Sequence, residues 1–101
     1  MNINSSTSSI YAHQDLLNSS AHNIANSNTD GFDRIDTNIV ENGKDSVKAV
    51  HSTVETDNPY SSTDLTKEIT DQIVSYHAVG ANVVAIKAQN SLEETILDMY
   101  A

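Results

Sequence analysis

Six consecutive residues, Asn26-Ser27-Asn28-Thr29-Asp30-Gly31, set oxygen-bearing side chains at alternate positions ahead of a glycine. An EF-hand loop wraps a calcium ion with this spacing. The loop chemistry also needs an acid at its first position, an apolar residue at its eighth and a bidentate Glu at its twelfth. Those places hold Asn26, Asp33 and Thr37. An asparagine-rich helix end produces the same pattern without an ion, and calcium binding is not expected.

The other reactive side chains are scattered. His13, His22, His51 and His77 include no two that stand three or four apart, so no helical metal pair exists. The chain has no cysteine, which removes thiolate catalysis, disulfides and cysteine-based metal sites. No Gly-x-Ser-x-Gly, phosphate loop or dinucleotide fingerprint occurs. Asp71 or Glu68 with His77 makes a dyad on paper, but a solvated helix face accounts for all three. The expectation is a protein that is not an enzyme and has no cofactor and no metal.

Composition narrows the classes further. The chain has 101 residues, 38% of them hydrophobic, with one Phe, four Tyr and no Trp. Self-sufficient globular domains contain about 45–50% apolar residues. A small chain also buries a smaller fraction of its surface than a large one, so partners are expected to help stabilise it. A net charge of −9 with only five Lys and Arg speaks against nucleic acid and against an anionic lipid surface. No apolar run approaches the ~18 residues of a membrane span. The first residues lack the basic and apolar regions of a cleaved signal peptide, so any export is expected to use another route.

Three segments must position these residues. In residues 1–32, Ile3, Ile10, Leu17 and Ile24 recur every seven residues, the spacing of a coiled-coil seam, and Tyr11, Leu16 and Ala21 widen it. Ser and Asn compete with the backbone for hydrogen bonds. A helix is therefore expected over about 10–26, with residues 1–9 a flexible tail that becomes helical only when docked. Asn26 to Gly31 stops the helix, and the lone Phe32 is expected to fold back on it.

In residues 33–62, Ile35, Thr37 and Ile39 alternate with polar residues before an Asn42-Gly43 turn. This predicts strands over 35–40 and 47–54 joined by the loop 42–45, with Val40 opposite Val47 and Asn38 opposite Ala49. Residues 55–62 read as a linker.

Residues 63–101 predict one long helix with Thr63 as its N-cap. Leu65, Ile69, Ile73, Tyr76, Val79, Val83 and Ile86 form its apolar stripe, which shifts sideways to Ala88, Leu92, Ile96 and Met99. Gly80, beside Ala78 and Ala81, costs up to ~1 kcal/mol in mid-helix and admits a close neighbour. At 1.5 Å per residue this helix spans roughly 55 Å against roughly 25 Å for the first, so about half its stripe needs cover from elsewhere. The predicted fold is mainly α: two terminal helices pairing as an antiparallel coiled coil, with a short β-hairpin segment between them.

The stretch Asn23-Ile24-Ala25-Asn26, then Asn28-Thr29 and Gly31-Phe32, resembles the N-terminal signature of bacterial flagellar axial proteins of the rod, hook and hook–filament junction. Thr63-Asp64-Leu65-Thr66-Lys67-Glu68-Ile69, with Ile73, Tyr76, Ala81-Asn82 and Ile86-Lys87, is similar to the family's C-terminal helix. The resemblance covers about residues 10–34 and 63–101. It implies that the terminal helices assemble with copies of the chain and with other axial subunits. It also implies export by the flagellar type III apparatus and a place in the basal body, in the periplasmic rod. The assembly contacts implied are Ile10, Leu17, Ala21, Asn23, Ile24, Asn26, Thr29, Gly31, Phe32, Leu65, Ile69, Ile73, Tyr76, Val83, Ile86, Leu92 and Ile96. Asp30 stands where the family often has proline. The middle of about 30 residues is short for a hook protein and fits a small rod component. The rival expectation is a helical binding module or adaptor for flagellar export or assembly that does not polymerise.

Overall fold

The computed structural model describes residues 3–55 and 59–100. Positions 56–58 of the expected linker therefore lie outside the described residues. The chain is mainly helical: α1 (Ile3–Ala25), β1 (Arg34–Glu41), β2 (Val47–Val54) and α2 (Leu65–Tyr100) follow in order. The two strands form an antiparallel hairpin between the helices in sequence. The molecule is elongated, 67 × 24 × 14 Å, with α2 as its long axis.

Helix α1 starts at Ile3, seven residues before the expected start. Polar contacts hold this first part. The Ser8 hydroxyl accepts from Val47 N at 3.2 Å and Asn82 Nδ2 donates to Ser9 Oγ at 2.9 Å, while Ser6 is fully buried with its hydroxyl unpaired. Residues 3–9 are therefore docked helix rather than a tail, because tertiary partners outweigh the weak helix preference of serine.

The hairpin has the expected strands but a different register. Val40 faces Lys48, Asn38 faces Val50 and Ile39 faces Ala49. The loop is one residue longer than expected, spanning 42–46, and closes with Asn42 N donating to Ser46 O at 3.0 Å. Gly43 (φ 75°) and Asp45 (φ 65°) both take the left-handed conformation that this loop requires. A one-residue slip exchanges the faces of a strand relative to its partner. The observed pairing keeps Ile35, Thr37 and Ile39 with Thr53, His51 and Ala49 on the side packed against α1.

Helix α2 begins at Leu65, and its N-cap is Asp64, whose Oδ1 accepts from Lys67 N at 3.2 Å. Thr63, the expected cap, instead donates its hydroxyl to Asn23 O. The helices run antiparallel, since Ser20 meets Glu68 at one end and Ser9 meets Asn82 at the other.

The face that α2 turns to α1 is polar. Its buried residues are Glu68, Ser75 and Asn82, spaced by seven. Ser6, Ala12, Leu16, Ser19, Ser20 and Asn23 are the buried residues of α1. Among the described residues only Ala12 and Leu16 are buried hydrophobic side chains. The expected seam residues Ile10, Leu17 and Ile24 flank this face half-buried, and Leu65, Ile69, Ile73, Tyr76 and Val83 are exposed.

Ser75 is completely buried and its hydroxyl finds no partner. An unpaired buried hydroxyl costs about 1–3 kcal/mol, and alanine is the better helix former. Ser75→Ala is therefore expected to raise the unfolding free energy by about 0.5–2 kcal/mol, read as a shift of the urea midpoint at unchanged slope.

Candidate functional site

Asn23 joins three elements. Its amide Nδ2 donates to Ile35 O and to Glu68 Oε1, both at 2.8 Å, and its Oδ1 accepts from Ile35 N at 2.8 Å. Its backbone carbonyl accepts from the Thr63 hydroxyl at 3.0 Å. The last turns of α1, the start of β1 and the first turn of α2 are thereby tied through one side chain that is 1% exposed. Glu68 is 2% exposed, and among the described residues no cation pairs with it. Its partner is the Asn23 amide, and its backbone carbonyl accepts from Ser20 Oγ at 3.1 Å.

The asparagine-rich turn finishes this join. Asn26 Nδ2 donates to His22 O, and Thr29 Oγ1 donates to Asn26 Oδ1. Gly31 (φ 71°) reverses the chain, and its N–H donates to Pro59 O at 2.7 Å. Phe32 folds back on α1 as expected, its ring 5.5 Å from that of His22 at 63°. Ser62 stitches the far side, accepting from Arg34 N and donating to Val54 O. Of the calcium-like oxygens at Asn26, Asn28 and Asp30, that of Asn26 is thus spent on the turn. Among the described residues no group of three or more His, Asp or Glu could hold a metal ion.

The acids and histidine of the paper dyad go separate ways. Glu68 turns to Asn23, Asp71 pairs with Lys67 at 2.8 Å, and the His77 ring stands against Tyr76. His51 takes a buttressing position, its Nδ1 2.8 Å from Thr37 Oγ1 and 3.2 Å from Ser19 Oγ. These contacts pin the hairpin to α1 at the edge of a shallow depression of about 360 Å³.

The other side of the helix pair is open and apolar. Leu17 of α1 with Ile69, Ile73 and Tyr76 of α2 lines one stretch of a groove. The next stretch, about 520 Å³, adds Val79, Gly80, Ala81 and Val84. Along both stretches the lining includes no carboxylate and no Lys or Arg; Gln14, Gln72 and His77 are its polar members. Of the assembly residues read from the sequence, the structure brings Leu17, Ile69, Ile73 and Tyr76 into this groove. Asn23, Asn26, Thr29, Gly31 and Phe32 belong to the turn. Ile10 and Ile24 remain half-buried on α1, Ala21 is exposed, and Val83 and Ile86 lie on α2 outside the groove lining. Leu92 and Ile96 lie beyond the reach of α1. The sequence reading missed the buried role of Glu68, whose signal was its sevenfold spacing to Ser75 and Asn82.

No protein-family model matches the sequence, and a search of curated proteins gives no match.

Two predictions follow from the tie between the elements. Asn23→Ala is expected to destabilise the chain by about 2–4 kcal/mol, because it leaves buried groups of Ile35 and Glu68 without partners. Glu68→Gln keeps an oxygen for the Asn23 amide and is expected to cost less than about 1.5 kcal/mol in the same urea titrations. Lys67 bridges Asp71 and Asp36, at 2.8 and 3.2 Å. The hydrogen bond to Asp71 does most to raise its pKa above the ordinary 10.5, with Asp36 adding to the effect against partial burial. The resulting stability is present below pH 10.5 and is lost as pH rises through the folded value. Lys67→Met should therefore lower the thermal midpoint slightly at neutral pH, and the gap to the parent chain should close in strongly alkaline buffer.

Proposed function

We propose that this chain is a structural subunit of the bacterial flagellar basal-body rod, assembling through its terminal helices. In this reading the helices pair as an antiparallel coiled coil along the sevenfold row of Glu68, Ser75 and Asn82. The observation that carries the proposal is the placement of apolar residues. The helix pair is closed by polar side chains, while Leu65, Ile69, Ile73, Tyr76, Leu92 and Ile96 face outward. A chain that folds on a small polar seam and presents its larger apolar residues to solvent is built to be completed by neighbours. The two-ended resemblance to flagellar axial proteins supplies the identity of those neighbours: copies of the chain and other rod subunits. The asparagine-rich turn, half of that resemblance, is also where α1, β1 and α2 are locked together. Export through the flagellar type III apparatus belongs to the same reading.

Cells lacking the chain are expected to lose complete basal bodies and motility, and the protein is expected in rod-level fractions of purified basal bodies by mass spectrometry. Complete, motile basal bodies in its absence contradict the proposal.

A further inference from the structure

The row of α2 that faces α1, Glu68, Ser75 and Asn82, continues by sevens to Gln89 and Ile96. Helix α1 begins at Ile3, and its Ser9 lies against Asn82. At 1.5 Å per residue in antiparallel register, α1 ends near residue 88 of α2. The row therefore changes from polar to apolar where its cover stops. Leu92, Ile96 and Met99 line that side of the overhang, while Asn90, Ser91, Glu94, Leu97 and Asp98 occupy the opposite one. All of residues 91–100 are exposed.

The groove of Leu17, Ile69, Ile73, Tyr76, Gly80 and Val84 lies on a different side of the same helix. At about 100° per residue the mean direction of its α2 residues sits about 130° around the axis from that of Leu92, Ile96 and Met99, with Val84 and Met99 the nearest pair at about 60°. The groove runs for roughly 22 Å along α2, and the ten-residue overhang is roughly 15 Å long, so one accommodates the other. Charge favours the match. In a chain of net charge −9, the groove lining carries no carboxylate, and of the overhang's three acids Glu94 and Asp98 lie opposite its apolar side while Glu93 flanks it. A Cβ built at Gly80 meets nothing within 4 Å, so this glycine is not needed by the isolated fold, yet it opens the groove floor.

We infer that the overhang of one copy docks in the groove of a second copy, head to tail. Because the two surfaces face different sides of α2, a single straight partner cannot fill both. Each copy then donates its overhang to one neighbour and accepts that of another, a heterologous contact that does not close on itself. The inference deepens the self-assembling reading proposed above and rests on it. Its tests are made in solution, so its failure leaves the cellular test intact and is told apart from it.

Sedimentation velocity on the full chain over a rising concentration series is expected to show mass growing past the dimer without a plateau. Ile96→Glu removes the donor surface and Val84→Glu the acceptor. Each variant alone should stay monomeric, and their mixture should stop at a heterodimer. Gly80→Ala is expected to raise the thermal midpoint of the monomer while weakening association at least about tenfold. The chain has no cysteine, so single introduced thiols report cleanly. Ile96→Cys mixed with His77→Cys should give a mixed disulfide, and Ile96→Cys alone should give none. A closed dimer, an Ile96→Cys homodisulfide, or monomer at every concentration overturns the inference.

Discussion

The Asn23 amide is the interaction on which the rest of this structure depends. A primary amide offers two N–H donors and an oxygen acceptor in one plane. At position 23 those groups meet both polar groups of the Ile35 backbone and the side chain of Glu68. No apolar residue offers that set. The buried Glu68 side chain in turn fixes how α2 is rotated about its axis, because it must point at Asn23 while Ser20 holds its carbonyl. Once that rotation is set, the residues seven and fourteen further on, Ser75 and Asn82, must also face α1. The larger apolar residues Ile69, Ile73, Val74 and Tyr76 between them are then turned outward.

This rotation has an energetic consequence. Buried polar contacts contribute little net stability when paired and cost much when broken, so they specify an arrangement more than they stabilise it. With Ala12 and Leu16 as the buried hydrophobic side chains among the described residues, the helix pair has little apolar burial of its own. Rotating α2 to bury Ile69, Ile73 and Tyr76 would gain hydrophobic contact but would strand Glu68 and Asn23. The polar join holds the apolar groove open to the outside. The same logic extends to the hairpin, which is pinned on α1 by the hydroxyls of Thr37 and Ser19 around His51 and by Ser8 at Val47.

Several parts of the fold were legible in the residues. The Asn42-Gly43 turn located the hairpin, the Asn26–Gly31 cluster located the end of α1, and the Ala, Leu, Ile, Lys and Glu content of residues 65–101 located α2. Two kinds of feature were not legible. Serines at 6, 8 and 9 oppose a helix locally, and only partners distant in sequence, Val47 and Asn82, show why the helix extends to Ile3. The facing of α2 was misread because hydrophobic periodicity marks where apolar residues lie, not which neighbour they meet. The more regular signal was the polar sevenfold row, which looks like a solvated face until Asn23 stands opposite Glu68. The hairpin register slipped by one because loop length rests on Asp45 taking a left-handed conformation, which asparagine and glycine announce more openly than aspartate.

The central claim is that the folded monomer buries a polar seam and leaves its larger apolar side chains open. Paramagnetic broadening of methyl signals by a soluble gadolinium chelate, in dilute monomeric protein, tests it residue by residue. The account predicts strong broadening at Ile69, Ile73, Val84, Leu92 and Ile96, with Ala12 and Leu16 protected. Protection of Ile69, Ile73 and Val84 in the monomer would contradict it, because α2 would then present its apolar row to α1.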